Sequence, residues 1–187
     1  IFTLGLTEMW VHKESGTVYP TAPGTLVGEF DETLYEFQNA QYLSILKEFN
    51  MFQAVLKRIR GGKSFKCLLT VSPVPLTATA SGNHILTSTI YSKSTLRSVA
   101  GQLSSMQKHI DYFPSYEIVT NPRMHSIAFS DNLRSIREET VEIVMRHFFA
   151  EHPAIRDSEF ESALAIQKQK TSEEIQCEEA LVEAFQK

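Results

Sequence analysis

Cysteine is scarce in this sequence: Cys67 lies in an apolar run and Cys177 in an acidic stretch, a number and spacing that make neither a disulfide framework nor a metal-ligand set. Such usage fits a reducing compartment, and a cytoplasmic location is the expectation. Long apolar runs are missing too. None approaches the roughly 20 residues needed to span a bilayer, so no membrane span is expected. Concentrated positive charge is also absent. The longest basic cluster is Lys57-Arg58-Ile59-Arg60 and the net charge is −4, which excludes an extended nucleic-acid surface and leaves a neutral or polar substrate. Internal repeats, low-complexity tracts and cofactor-binding motifs are not found. The chain opens at Ile1 inside an apolar stretch without a leader pattern, so it reads as an internal fragment.

What is present is an ordinary globular composition, 42% apolar and 21% charged over 187 residues, enough for one domain and a short appendage. Ile1 to Leu6 is a continuous apolar run of the kind buried on both faces of a parallel sheet. Turn signals at Glu14-Ser15-Gly16 and Tyr19-Pro20 suggest a small hairpin between Trp10 and Gly24. From Asp31 to Arg60 apolar residues recur at three- and four-residue steps, which predicts one long helix ended by Gly61-Gly62. Phe65 to Val71 reads as a second buried strand, stopped by Ser72-Pro73-Val74-Pro75. A helix over 92–106 with Ser92 or Ser94 near its N-cap, a strand over 110–119, a loop over 121–136 and a helix over 138–149 complete the pattern.

Strands alternating with helices predict a parallel sheet with helices on both faces, a three-layer α/β/α domain over 1–152. The shift to Glu, Lys, Gln and Ala beyond it predicts a helical tail over 153–187, suited to homo-oligomer contacts. Sites in such sheets form beyond the carboxyl ends of the strands. Three polar segments converge there: Gly5-Leu-Thr-Glu8-Met-Trp10, Ser72 to Pro75, and Tyr112-Phe-Pro-Ser-Tyr-Glu117. Thr7 and Ser72 could equally satisfy backbone groups, and Tyr116 could simply pack. Glu8 is either a solvated loop acid or a functional one. Tyr116 with Glu117 suits a sugar, the ring covering C–H groups and the carboxylate accepting from hydroxyls. Ser92-Lys93 at a helix start could bind an anionic or carbonyl oxygen, or be a plain cap and a solvated lysine.

Four blocks, Phe2-Thr-Leu-Gly-Leu-Thr-Glu-Met-Trp10, Leu69-Thr-Val-Ser-Pro-Val-Pro-Leu76, Tyr91-Ser-Lys-Ser-Thr-Leu-Arg97 and Asp111-Tyr-Phe-Pro-Ser-Tyr-Glu117, resemble successive segments of bacterial GSCFA-domain proteins. That family is similar to SGNH or GDSL-type hydrolases. The resemblance implies a flavodoxin-like fold, and an esterase or O-acyltransferase acting on an acylated carbohydrate or polysaccharide. It also implies a Ser nucleophile in a Gly-Ser-Cys-Phe-Ala block that would precede Ile1. Gly5-Leu-Thr-Glu8 falls where SGNH enzymes have Gly-x-Asn-Asp, so Thr7 replaces the Asn that donates to the oxyanion, and Glu8 and Trp10 join the substrate-binding candidates.

The family's Asp-x-x-His block corresponds to Asp131-Asn-Leu-Arg134. Arginine stays protonated at neutral pH and cannot act as general base. His125, on the same loop, is the nearest replacement, and His125 with Asp131 is the expected acid/base pair. Two rival readings use the same residues. One is a non-catalytic glycan- or partner-binding module of a larger protein, and the other is a transferase with Glu117 as base.

Overall fold

The computed structural model describes residues 1–19, 21–25 and 29–152, so the expected helical tail over 153–187 lies outside the described residues. Chain order is β1 (Phe2–Leu4), β2 (Glu8–His12), β3 (Val18–Tyr19), β4 (Tyr35–Asn39), α1 (Tyr42–Ile59), β5 (Cys67–Val71), α2 (Ile85–Met106), β6 (Ile110–Tyr112), α3 (Ser115–Thr120), α4 (His125–Ala128) and α5 (Glu138–Glu151). β5 is the centre of a parallel sheet in the order β1-β5-β6, with Leu4 opposite Val71 and Ile110 opposite Cys67. The fold is α/β with a parallel sheet, but of the first apolar run only Leu4 is buried, while Ile1, Phe2 and Leu6 are exposed at the edge of the described sheet.

Packing follows from the two side-chain periods. Leu69 and Val71 share one face of β5 and are fully buried against Phe49 of α1 and Leu96, Val99, Ala100 and Leu103 of α2. Those α2 positions recur at three- and four-residue steps and form one stripe. Burying such a side chain contributes roughly 1.5–3 kcal/mol. Thr70 points to the other face, where its hydroxyl bonds to Ser115 at the start of α3. The central strand is thereby covered on both sides.

Between β1 and α1 the chain makes a second, antiparallel sheet in the order β3-β2-β4. Its β2–β3 turn passes through Gly16 at φ +67°, a left-handed conformation that glycine adopts without Cβ strain. β4 departs from the expected helix over 31–60. Tyr35, Phe37 and Asn39 are half-buried while Glu36 and Gln38 are exposed, and all five pair with β2 from Glu8↔Asn39 to His12↔Tyr35. The helix begins only after Gln41, where Ser44 Oγ accepts from the Gln41 amide at 3.1 Å and donates to its carbonyl at 2.7 Å. It ends as expected at Gly61-Gly62, whose amides donate to Arg58 and Lys57 and satisfy carbonyls the helix leaves open.

Three further boundaries differ. α2 starts at Ile85, β6 ends at Tyr112 and passes into α3, and the loop over 121–136 contains α4. Among the described residues no helix is long and apolar enough to cross a membrane.

Candidate functional site

The N-terminal half of α2 carries an unusual run of buried polar side chains. Ser88, Ser92 and Lys93 are 4%, 0% and 1% exposed. Ser88 and Ser92, and likewise Thr89 and Lys93, are four residues apart and lie on one side of the helix. Each fastens part of the crevice beyond the strand ends. Ser92 Oγ accepts from the Thr7 amide at 2.8 Å, and Lys93 Nζ donates to the Gly5 carbonyl at 2.9 Å. Thr89 Oγ1 accepts from the Leu76 amide at 3.2 Å, and Ser88 Oγ shares a hydrogen bond with Ser81 Oγ at 2.9 Å.

This corrects the expected place of Ser92 and Lys93. The helix is capped by His84, whose Nδ1 accepts from the Leu86 amide at 3.2 Å. At Ser92 the backbone amides are already used within the helix, so an anion site of free N–H groups does not form there. Lys93 is nevertheless unusual. No carboxylate pairs with it among the described residues, and burial holds its ammonium down to about 8. Thr7 beside it is 1% exposed, and its hydroxyl has no hydrogen-bond partner among the described residues.

The open part of the site is a cleft of about 130 Å³ lined by Glu8, Trp10, Tyr19, Phe37, Leu76 and Thr79, among others. It lies where β2 leaves the end of β1, between the small sheet and the loop after β5. Trp10 packs in T-shaped contacts with Phe30 and Phe37, with ring centroids 5.1 and 5.8 Å apart. Glu8 Oε1 accepts from Thr79 Oγ1 at 2.8 Å. That hydroxyl meets Ser81 Oγ at 2.7 Å, and Ser81 meets Ser88. Burial pushes the Glu8 carboxyl above the usual carboxylate range, and the Thr79 and Ser88 hydroxyls, which favour the ionised form, pull it back only in part.

The remaining expected residues lie elsewhere. Ser72 continues the end of β5, its amide donating to Leu4 O at 2.9 Å and its hydroxyl accepting from the Val74 amide at 3.3 Å. Tyr116 packs against the core. Glu117 pairs with Arg97 and accepts from Tyr112 at 2.8 Å, while the Arg97 guanidinium lies 4.2 Å over the Tyr112 ring. The desolvated Tyr112 hydroxyl, bonded to that carboxylate, is pushed well above its ordinary range. This cluster ties α2 to β6 and α3.

His125 is the exposed first residue of α4 and leans on Phe129 at 5.7 Å. Asp131 is fully exposed at the tip of the next loop, 3.5 Å from Arg137. The two make no hydrogen bond to each other among the described residues, and neither lines the cleft. Thus the structure joins Glu8 with Trp10 in the cleft lining, and Thr7 with Ser92 and Lys93 in the buried layer at the end of β1. Glu117 with Tyr116, and His125 with Asp131, stand outside the cleft lining. Thr79, Ser81, Ser88 and Thr89 escaped sequence reading, although the four-residue spacing of Ser88 with Ser92 was a visible signal. Among the described residues no group of three or more His, Cys, Asp or Glu is placed to hold a metal ion.

An α/β protein with a polar crevice at the carboxyl ends of its parallel strands is the class defined by this arrangement. A family model described as the GSCFA family matches residues 1–148, and the chain belongs to that family. No curated protein and no solved structure matches the chain.

Proposed function

We propose that this protein is an SGNH-like esterase or O-acyltransferase acting on an acylated carbohydrate, with a serine nucleophile in the block that the resemblance puts ahead of Ile1. The observation that carries the reading is the cleft at the strand ends, where Trp10 and Glu8 stand together. A ring that can cover C–H groups beside a carboxylate that can accept from hydroxyls is a chemistry suited to sugars. Thr7 supports it from beneath. A buried hydroxyl without a partner costs about 1–3 kcal/mol, and an oxyanion seated against it would offset that cost. Ser72, Tyr116 and Glu117 are proposed to bound the substrate beyond the cleft, with His125 and Asp131 as loop groups. A bacterial, cytoplasmic setting and self-association through residues 153–187 belong to the same proposal.

The test is release of acetate from acetylated sugars by the protein expressed from its whole reading frame, with labelling by a serine-reactive phosphonate. Release and rapid labelling are expected. If neither occurs, the second reading stands, a non-catalytic glycan-binding module. Arg134 in place of a histidine favours that reading.

A further inference from the structure

We infer that Glu8 is the acid–base catalyst of the cleft, and that the hydroxyl chain of Thr79, Ser81 and Ser88 is what aims its carboxylate. The inference rests on the acyl-transfer reading above. It starts from elimination among the described residues. Acyl transfer to a hydroxyl needs a group that takes a proton and returns it. Arg134 cannot, and Lys93 is sealed beneath the Gly5–Thr7 turn, spending its ammonium on a backbone carbonyl. His125 and Asp131 are solvent-facing groups that line no part of the cleft. Among the described residues Glu8 is the one carboxylate in the cleft lining.

Its surroundings suit the task. Glu8 and Trp10 are two residues apart on β2 and point to the same face. A sugar lying on the Trp10 ring would sit on the same face as the carboxylate, within the one cleft. The chain from Ser88 through Ser81 and Thr79 ends on Glu8 Oε1. Its innermost member is buried on α2, so the helix backs the loop hydroxyls that hold the carboxylate. The titratable groups that face this region are Tyr19 from β3, in the cleft lining, and Lys93 from α2, at Gly5. Asn39, opposite Glu8 on β4, carries no charge. Partial burial brings the carboxyl toward the range where a base is both ionised and basic enough to act.

The step balances without a further reagent. As the nucleophile's oxygen bonds to the acyl carbon, its proton passes to the Glu8 carboxylate. As the ester C–O bond breaks, Glu8 returns that proton to the departing sugar oxygen. Water or an acceptor hydroxyl then repeats the exchange and releases the acyl group.

The test uses the full-length protein with glucose pentaacetate. Glu8→Gln is expected to lower kcat by about 100-fold or more, with KM within a few-fold and the acid limb of the kcat/KM profile lost. Its unfolding midpoint stays at or above wild type, because the amide oxygen still accepts from Thr79 and a partly buried charge is gone. Thr79→Val removes a donor to the ionised form and part of what aims it, so it lowers kcat by about 10-fold and moves the remaining acid limb to higher pH. That second variant decides the matter if Glu8→Gln does not fold. Wild-type turnover that survives Glu8→Gln with its acid limb in place overturns the inference and leaves the esterase reading standing. A wild type that cleaves no acyl ester overturns both.

Discussion

Ser92 and Lys93 illustrate how residues expected at a helix start can lie well inside the helix. The tract from Thr87 to Thr95 offers several serines and threonines that favour helix caps, and nothing local says which one is used. The cap falls at His84, so Ser92 turns inward and its hydroxyl serves the Thr7 amide. Removing it leaves that amide buried without an acceptor. Ser92→Ala is expected to cost about 1–3 kcal/mol in denaturant unfolding, and Ser92→Thr less. Lys93 makes a separate prediction about pH. Its folded value of about 8 lies below the ordinary 10.5. Between those values the unfolded chain binds more protons, so stability from this group rises with pH across the interval, by on the order of 3 kcal/mol. Tyr35, Cys67 and Tyr112 are held above their ordinary values and act in the opposite sense. The measurement is therefore the difference between wild type and Lys93→Met, followed by chemical unfolding from pH 8 to 10. A flat difference would refute it.

Among the elements, α1 shows why helix ends are easier to read than helix beginnings. Gly61-Gly62 announces its own role, because the left-handed turn that closes the last carbonyls needs residues without Cβ strain. The start was obscured because Leu34, Phe37 and Gln41 happen to continue the helical spacing. Only pairing with β2, about 25 residues earlier in the chain, makes 35–39 a strand, and such a partner is invisible to a local period. α3 was hidden for a similar reason. Tyr112 to Tyr116 reads as extended until Ser115 is seen to anchor a helix on β5, bonding to Thr70 and, at 3.2 Å, to the Val71 carbonyl. Ser115→Ala is expected to cost about 1–2 kcal/mol, with faster amide exchange confined to α3 and the neighbouring loop. Uniform exchange across the sheet would argue against that anchoring role.

For the molecule as a whole, the parallel sheet was the most legible feature, because β5 carries an apolar run that a doubly covered strand explains and β1 carries a similar run, although only Leu4 of it is buried. The crevice at the strand ends was legible as a region, through the polar residues after each run. Its wall was not, since that depends on which side of α2 faces inward. The contacts that hold β1 and the start of β2 in the crevice reach far along the chain: Glu8 to Thr79 spans 71 positions, Thr7 to Ser92 spans 85 and Gly5 to Lys93 spans 88. Closing such distances carries an entropic cost that local contacts do not, and it slows folding. α1 and α2 can gather their helical turns early, but Glu8 and Thr7 acquire their fixed positions only when β1 docks beside β5. A nascent or partly melted chain therefore keeps most of its helix while presenting no ordered crevice, so function is switched on by the completion of folding itself.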